Sequence, residues 1–207
     1  MANDIVFYHA PQSRSIIVQW MLEELGQPFD MHVLNLKKNE HKASRYLAIN
    51  PMGKVPAITH RGVVITEAAA ICAFLADTYP KAQLAPPVGD PRRGPYLRWM
   101  FFGPSCMEPA IIDRKFKREG AEPGALGYGS FEKTMDVVAE AVSEGPWILG
   151  ETFTAADVII GSNIQWGTMI QAIPPRAEFQ AYGKRLMERP ALRRVFAKDA
   201  ELAKAAA

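Results

Sequence analysis

The sequence predicts an α/β domain followed by an all-α domain. Strand-like runs, short and rich in β-branched and aromatic residues, fall within the first eighty of 207 residues, between segments whose apolar residues recur at helical spacing. Residues 81–95, KAQLAPPVGDPRRGP, carry Pro86, Pro87, Pro91 and Pro95 and read as a linker. Beyond it the strand signals thin out and the apolar period is helical.

Taken in order, Ile5-Val6-Phe7-Tyr8 is a short strand and His9-Ala10-Pro11-Gln12 the loop after it. From Ser13 onward Ile16, Ile17, Trp20, Met21 and Leu25 follow the helical period, with Gly26 as the stop and Pro28 just beyond. Met31 to Leu36 alternates as a second strand. A polar stretch, Lys37 to Lys42, leads to a short helix ending near Ile49. Val55 to Thr59 and Val63 to Ile65 flank His60-Arg61-Gly62, a hairpin signal. Glu67 to Tyr79 is a helix with Ile71, Phe74, Leu75 and Tyr79 spaced for burial, and Pro80 ends it. The order is βαβ, a short helix, then ββα, and the first connection has the composition of a right-handed parallel crossover.

In the second part, Leu97 to Phe116 is helical with a break near Gly103-Pro104, Glu119 to Gly129 is a glycine-rich loop, and Phe131 to Val142 is helical. Phe153-Thr154-Ala155-Ala156-Asp157 opens another helix, and residues 177–203 form two more, split at Pro190. Thr154 and Asp157 have the spacing of a capping box, with Phe153 and Val158 as its hydrophobic staple. This element is structural, with no chemistry assigned to it.

The 24 basic and 22 acidic side chains leave a net charge of +2, which argues against nucleic-acid or membrane recognition through bulk charge. No apolar run has the length of a bilayer span, and MANDIVFYHAPQ lacks the pattern of a signal peptide. Cys72 and Cys106 form neither a CxxC pair nor a zinc spacing, so a cytoplasmic protein without a metal is expected.

Asn50-Pro51-Met52-Gly53-Lys54-Val55-Pro56-Ala57-Ile58 sets a proline at the start of a strand-like run. Proline gives no N–H to a sheet. On these residues alone two conformations stand open: a trans proline opening an edge strand, or a cis Val-Pro bond that leaves the Val55 backbone facing outward, free to pair with an extended ligand.

That stretch, with Thr66-Glu67-Ala68-Ala69-Ala70-Ile71, Phe153-Thr154-Ala155-Ala156-Asp157 and the later Arg189-Pro190-Ala191, resembles the cytosolic glutathione transferases over essentially the whole chain. The resemblance implies a thioredoxin-like glutathione-binding domain at 1–80, a linker at 81–95, and a helical-bundle domain at 96–207 that contributes the electrophile site. It implies a cis bond at Pro56 and pairing of the Val55 backbone with the cysteinyl moiety of glutathione. Glu67 and Ala68 then open the helix that receives the γ-glutamyl group, its free N–H groups suiting the carboxylate and Glu67 suiting the ammonium. The family commonly has serine where Ala68 stands, so weaker glutathione binding is expected. His41 and Lys42, with Lys54 nearby, are the candidates for the glycyl carboxylate. As isolated residues, Glu67 reads better as a favourable first-turn acid and His41-Lys42 as a solvated charged loop.

The resemblance places the thiol-activating side chain between the first strand and the first helix. That stretch, Tyr8 to Ser15, has no cysteine, which argues against a mixed disulfide with the protein. Ser13 is favoured as a serine-type activating residue, Arg14 adds charge and Ser15 is the fallback; Ser13 is also a plausible helix cap. The electrophile is expected against a helix carrying Tyr96, Trp99, Met100, Phe102, Cys106 and Met107, a stripe whose spacing also fits a core face. The expected protein is a homodimer that takes glutathione as cosubstrate and an apolar electrophile. A non-catalytic binding protein, which Ala68 favours, and a glutathione-dependent peroxidase or disulfide reductase are the alternatives on the same fold.

Overall fold

A computed structural model of the chain describes residues 3–118 and 121–205. The chain divides into two compact units, one made of Met1–Ala82 with Arg189–Ala207 and the other of Gln83–Glu188.

The first unit contains β1 (Ile5–His9), α1 (Ser15–Leu25), β2 (Asp30–Val33), α2 (Ser44–Leu47), β3 (Ala57–His60), β4 (Val63–Thr66) and α3 (Ala68–Thr78). The sheet order is β2-β1-β3-β4, with β1 parallel to β2 and antiparallel to β3, and β3 antiparallel to β4. This is a thioredoxin-like arrangement. Ile5, Phe7 and His9 alternate into the interior along β1. α1 buries Ile17, Val18, Trp20, Met21, Leu22 and Leu25, and stops at Gly26, whose left-handed φ of 68° lets its N–H donate to the Leu22 carbonyl.

The boundaries shift for local reasons. The helix expected from Ser13 begins at Ser15; its N-cap residue is Arg14, with no side-chain capping bond, and the Ser13 hydroxyl just before it accepts from the Ser15 N–H at 3.2 Å. The second strand ends at Val33 rather than Leu36. Leu34 still donates to the His9 carbonyl at 2.7 Å, but the Asn35 N–H is taken by the Glu40 carboxylate at 2.8 Å, which draws the chain off the sheet. The strand expected from Val55 begins at Ala57, after Pro56, which has no N–H to offer the ladder.

The last helix, α9 (Pro190–Ala205), joins this first unit and packs on α1. The helical domain drawn at 96–207 from the sequence therefore ends at Glu188. Polar ties explain the return. Arg189 grips Glu24 with two hydrogen bonds, at 2.6 and 2.7 Å, while the buried Trp20 donates to the same carboxylate at 2.9 Å. Arg194 pairs with Glu23 at 2.8 Å. A bidentate, partly buried Arg–carboxylate pair holds geometry better than an exposed ion pair.

The second unit contains α4 (Arg93–Phe102), a π turn over Gly103–Met107, α5 (Glu108–Phe116), α6 (Phe131–Ser143), α7 (Ala155–Met169) and α8 (Ala177–Glu188). Helix thus begins inside the expected linker, at Arg93. Pro95 sits in the first turn, where a missing N–H costs little. The break expected at Gly103-Pro104 is a π turn rather than a helix end. Pro104 cannot supply its amide, and one wide turn absorbs the mismatch. Gly103 also allows the close approach of α7, since a Cβ there would lie 2.4 Å from Ile159 Cγ2. The glycine-rich loop contains a 3-10 turn at Pro123–Ala125, and its first two positions, 119 and 120, lie outside the described residues.

The capping box at Thr154 is present and larger than the motif requires. The buried Asp157 carboxylate accepts from the Thr154 N–H and the Ile148 N–H, each at 2.8 Å, and from the Tyr182 hydroxyl at 2.7 Å. One side chain thus ties the start of α7 to the preceding loop and to α8. Replacing it leaves several buried donors without acceptors. Asp157→Ala is expected to cost roughly 3–5 kcal/mol of stability, against about 1 kcal/mol for Thr154→Ala, which removes a cap alone. Urea unfolding of the two variants tests this; equal small losses would show that the network contributes little.

Candidate active site

The strand register brings the candidate residues to one end of the sheet. Ala57 pairs with Tyr8 of β1 on one side and with Thr66 of β4 on the other. The end of β1, the residues before β3 and the start of α3 therefore emerge together. The parallel pairing of His9 with Val33 adds the carboxyl end of β2 at the same edge.

The Val55-Pro56 bond is cis. Just before it, the Lys54 carbonyl accepts from Tyr46 Oη and from Asn50 Nδ2, while Asn50 Oδ1 accepts from the Met52 N–H at 3.1 Å. This fixes the Asn50–Lys54 turn from below. Among the described residues the Val55 N–H and C=O carry no hydrogen bond. Gly53 has φ 59°, and a Cβ there would lie 3.1 Å from the His41 carbonyl oxygen, so glycine lets this turn rest on the His41 backbone. His41 is half-buried and its Nδ1 has no partner among the described residues; Lys42 and Lys54 are exposed.

Glu67 occupies φ 67°, ψ 118°, a strained region for a residue with a Cβ. It is the N-cap residue of α3, yet no side chain caps the helix. Ala68, with no hydroxyl, leaves the first-turn amides open, and an 11-residue helix presents there the positive end of its dipole.

Ser13 is half-buried, Arg14 exposed and Ser15 wholly buried. The two serines were alternatives on the sequence, but here they form a bonded pair. Their hydroxyl oxygens are 2.8 Å apart, and the Ala10 carbonyl lies within reach of both, at 2.7 Å from Ser13 and 2.9 Å from Ser15. Ser15 has no surface from which to meet a ligand, which leaves Ser13 as the hydroxyl at the edge. Tyr8 stacks on His32, ring centroids 5.4 Å apart, within the strand.

Two neighbours of this loop escaped the sequence reading. His9, expected in the loop, ends β1, fully buried, with Nδ1 2.9 Å from Ser15 Oγ. Asp199 lies at the bottom of the same loop and accepts from the Gln12 N–H at 3.1 and 3.3 Å. Both had a signal. His9 continues the alternation Ile5, Phe7 onto the inner face. Asp199 continues the spacing Leu192, Val195 on the buried face of α9, where an ionisable residue needs a partner.

Of the stripe expected to meet an electrophile, Tyr96, Trp99, Met100 and Met107 are buried, which makes them packing residues; Phe102 and Cys106 keep some surface. Cys72 is wholly buried, and burial pushes its thiol far above the usual range, so it is not a nucleophile. Cys106 lies 3.6 Å from the Gly127 carbonyl. Among the described residues no group of three His, Cys, Asp or Glu is placed to hold a metal, and no helix is long and apolar enough to cross a membrane.

Comparison with known proteins agrees with this geometry. A family model described as "Glutathione S-transferase, N-terminal domain" matches residues 4–77. Glutathione S-transferase GstA of Escherichia coli O157:H7 is 28% identical over 186 residues, 88% of this chain and 92% of that protein. The glutathione S-transferase-like protein gedE of Aspergillus terreus is 30% identical over 67% of each chain. A glutathione transferase structure from Methylococcus capsulatus str. Bath superposes with a TM-score of 0.79 at 25% identity, covering 95% of this chain and 98% of that one. A Sulfitobacter glutathione transferase homologue solved with bound glutathione gives 0.74 at 25% identity, with 94% and 97% covered. With a thioredoxin-like sheet, a cis proline at the head of β3 and relatives that match across both units, the chain belongs to the glutathione transferase family.

Proposed function

We propose that the protein is a catalytic glutathione transferase that holds the glutathione thiol as thiolate and adds it to apolar electrophiles. The observation that carries this is the convergence at one sheet end of the unpaired Val55 backbone, the uncapped start of α3 and the Ser13 hydroxyl. Those are the complements of an extended peptide, a carboxylate and a thiolate. The Sulfitobacter homologue with bound glutathione supports the choice of ligand.

In this reading the γ-glutamyl carboxylate meets the open amides at Ala68, and Glu67 meets the ammonium. The cysteinyl backbone pairs with Val55 beside Pro56 as a short added strand. The glycyl carboxylate is held by His41 and Lys42, with Lys54 as a further positive charge. Ser13 donates to the sulfur, and Arg14 and the start of α1 add positive potential. A donor to the anion lowers the thiol pKa without serine ionising. The thiolate then forms a C–S bond with the electrophile, which releases its leaving group or, for an activated double bond, takes up a proton. A homodimer in a reducing cytoplasm completes the proposal.

Removing the Ser13 donor removes one charge-assisted hydrogen bond from the thiolate. Ser13→Ala is expected to lower conjugation roughly 10–100-fold, with the glutathione Kd within about threefold of the native value. Steady-state assay with a chromogenic electrophile, paired with calorimetry, measures both. Unchanged turnover would remove Ser13 from the mechanism, and saturable binding without thiolate absorbance would mark a carrier.

Ala68→Ser restores a hydroxyl beside the carboxylate site. It is expected to tighten glutathione roughly fivefold, about one net hydrogen bond. No change in Kd by calorimetry would show that position 68 does not face the ligand.

Light scattering at micromolar concentration is expected to give twice the 22.9 kDa chain mass. A monomer contradicts the proposed assembly.

A further inference from the structure

Beneath Ser13 a row of polar groups runs inward to the last helix. Ser13 Oγ is 2.8 Å from Ser15 Oγ, Ser15 Oγ is 2.9 Å from His9 Nδ1, and His9 Nε2 is 3.6 Å from Asp199 Oδ1. All four residues belong to the first unit. Ser15 and His9 have no exposed surface, and Asp199 is 9% exposed. His9 Nε2 has no hydrogen-bond partner among the described residues, and the carboxylate it faces is Asp199. Resting on the glutathione site proposed above, we propose that Ser13, Ser15, His9 and Asp199 form a proton relay that carries the thiol proton inward to Asp199.

The backbone gives the relay a direction. Ser15 Oγ accepts from the Ala10 N–H at 3.1 Å, and Ser13 Oγ accepts from the Ser15 N–H at 3.2 Å. Each hydroxyl is left with one lone pair and one proton, and that proton can turn either to the Ala10 carbonyl, 2.7 Å from Ser13 and 2.9 Å from Ser15, or to the next group in the row; the relay uses the second orientation. At rest the Gln12 N–H, shared by both Asp199 oxygens, favours the ionised carboxylate. His9 then turns an Nε2–H toward Asp199 and offers Nδ1 as an acceptor. Ser15 donates to Nδ1, Ser13 donates to Ser15, and the open lone pair of Ser13 meets the S–H.

On ionisation every proton moves one place. The S–H bond breaks as a new Ser13 O–H forms. The old Ser13 proton passes to Ser15 Oγ, the Ser15 proton to His9 Nδ1, and the Nε2 proton to Asp199 Oδ1. The negative charge moves from Asp199 to sulfur, and the imidazole changes tautomer without becoming charged. Burial favours this endpoint. It lowers the His9 pKa to about 4, disfavouring an imidazolium, and raises that of Asp199, making it a better proton acceptor. At 3.6 Å His9 and Asp199 are in ion-pair range but not hydrogen-bonded at rest, so the last transfer requires the two groups to close when glutathione binds. The other charges on the packed elements are Arg14, Glu23 and Glu24 at α1, Arg189, Arg193, Arg194, Lys198, Glu201 and Lys204 at α9, Asp30 on β2 and Asp77 on α3. Glu24 pairs with Arg189, Glu23 with Arg194 and Lys198 with Glu201.

The ring nitrogens of His9 report the relay directly. In ¹⁵N-histidine-labelled protein, with His9 assigned among the four histidines by His9→Gln, the free protein is expected to show neutral imidazole with hydrogen on Nε2. Saturation with glutathione is expected to move it to Nδ1, whereas S-methylglutathione, which has no thiol proton, binds and leaves it in place. In Asp199→Asn the thiolate fraction of bound glutathione at neutral pH, read from its ultraviolet absorbance, is expected to fall about tenfold, one unit in thiol pKa. S-methylglutathione affinity stays within about twofold, a change too small to signal a damaged site. Binding of both ligands with no tautomer change, or with an imidazolium, overturns the relay and leaves the glutathione site standing. Failure of both ligands to bind overturns the site and the relay together. The native-protein spectra decide the point even where the Asp199 variant does not fold.

Discussion

The pairing of Ala57 with Tyr8 on one side and Thr66 on the other is the constraint on which the site depends. A slip of one residue in either ladder would turn β3 inside out and carry the Val55-Pro56 turn away from the loop after β1. Burial guards the register. Ile58 and Ala57 are fully enclosed, and β1 sets Ile5, Phe7 and His9 against the interior. Once those strands are in register, the turn before β3, the start of α3 and Ser13 have little freedom left.

Much of the recognition proposed for this site uses main-chain groups. The Val55 amide and carbonyl, and the amides that open α3, belong to the backbone, and they survive the absence of a hydroxyl at Ala68. The side chains around the glycyl end are different in kind. Lys42 and Lys54 are exposed, so their attraction for a carboxylate weakens as salt rises. His41 is half-buried, and its backbone lies against the turn that glycine permits at position 53.

Elements with a strong period were legible in the sequence. Ile17 to Leu25 and the paired strands around Arg61-Gly62 stand where alternation and helical spacing put them. The cis bond was open on the residues themselves and followed from the family resemblance. What the sequence hid was long-range. Asn35 leaves the sheet because Glu40 captures its amide, an event no propensity reports. Ser13 and Ser15 are indistinguishable as letters, and only the fold of the loop around the Ala10 carbonyl buries one and leaves the other at the edge. The allegiance of α9 rests on Arg189 and Arg194 meeting Glu24 and Glu23 more than 160 residues earlier, and composition carries no trace of it.

That allegiance has a consequence for biosynthesis. The first unit is completed by α9, and Gln12 and Asp199, which meet there, are 187 positions apart. At a translation rate of roughly 5–20 residues per second, α9 follows the loop by roughly 10–40 s. Through that interval the face of α1 that α9 covers stays open on the ribosome, while the intervening helical unit is already free to fold. The first unit therefore receives its last helix only after the whole helical unit has been synthesised.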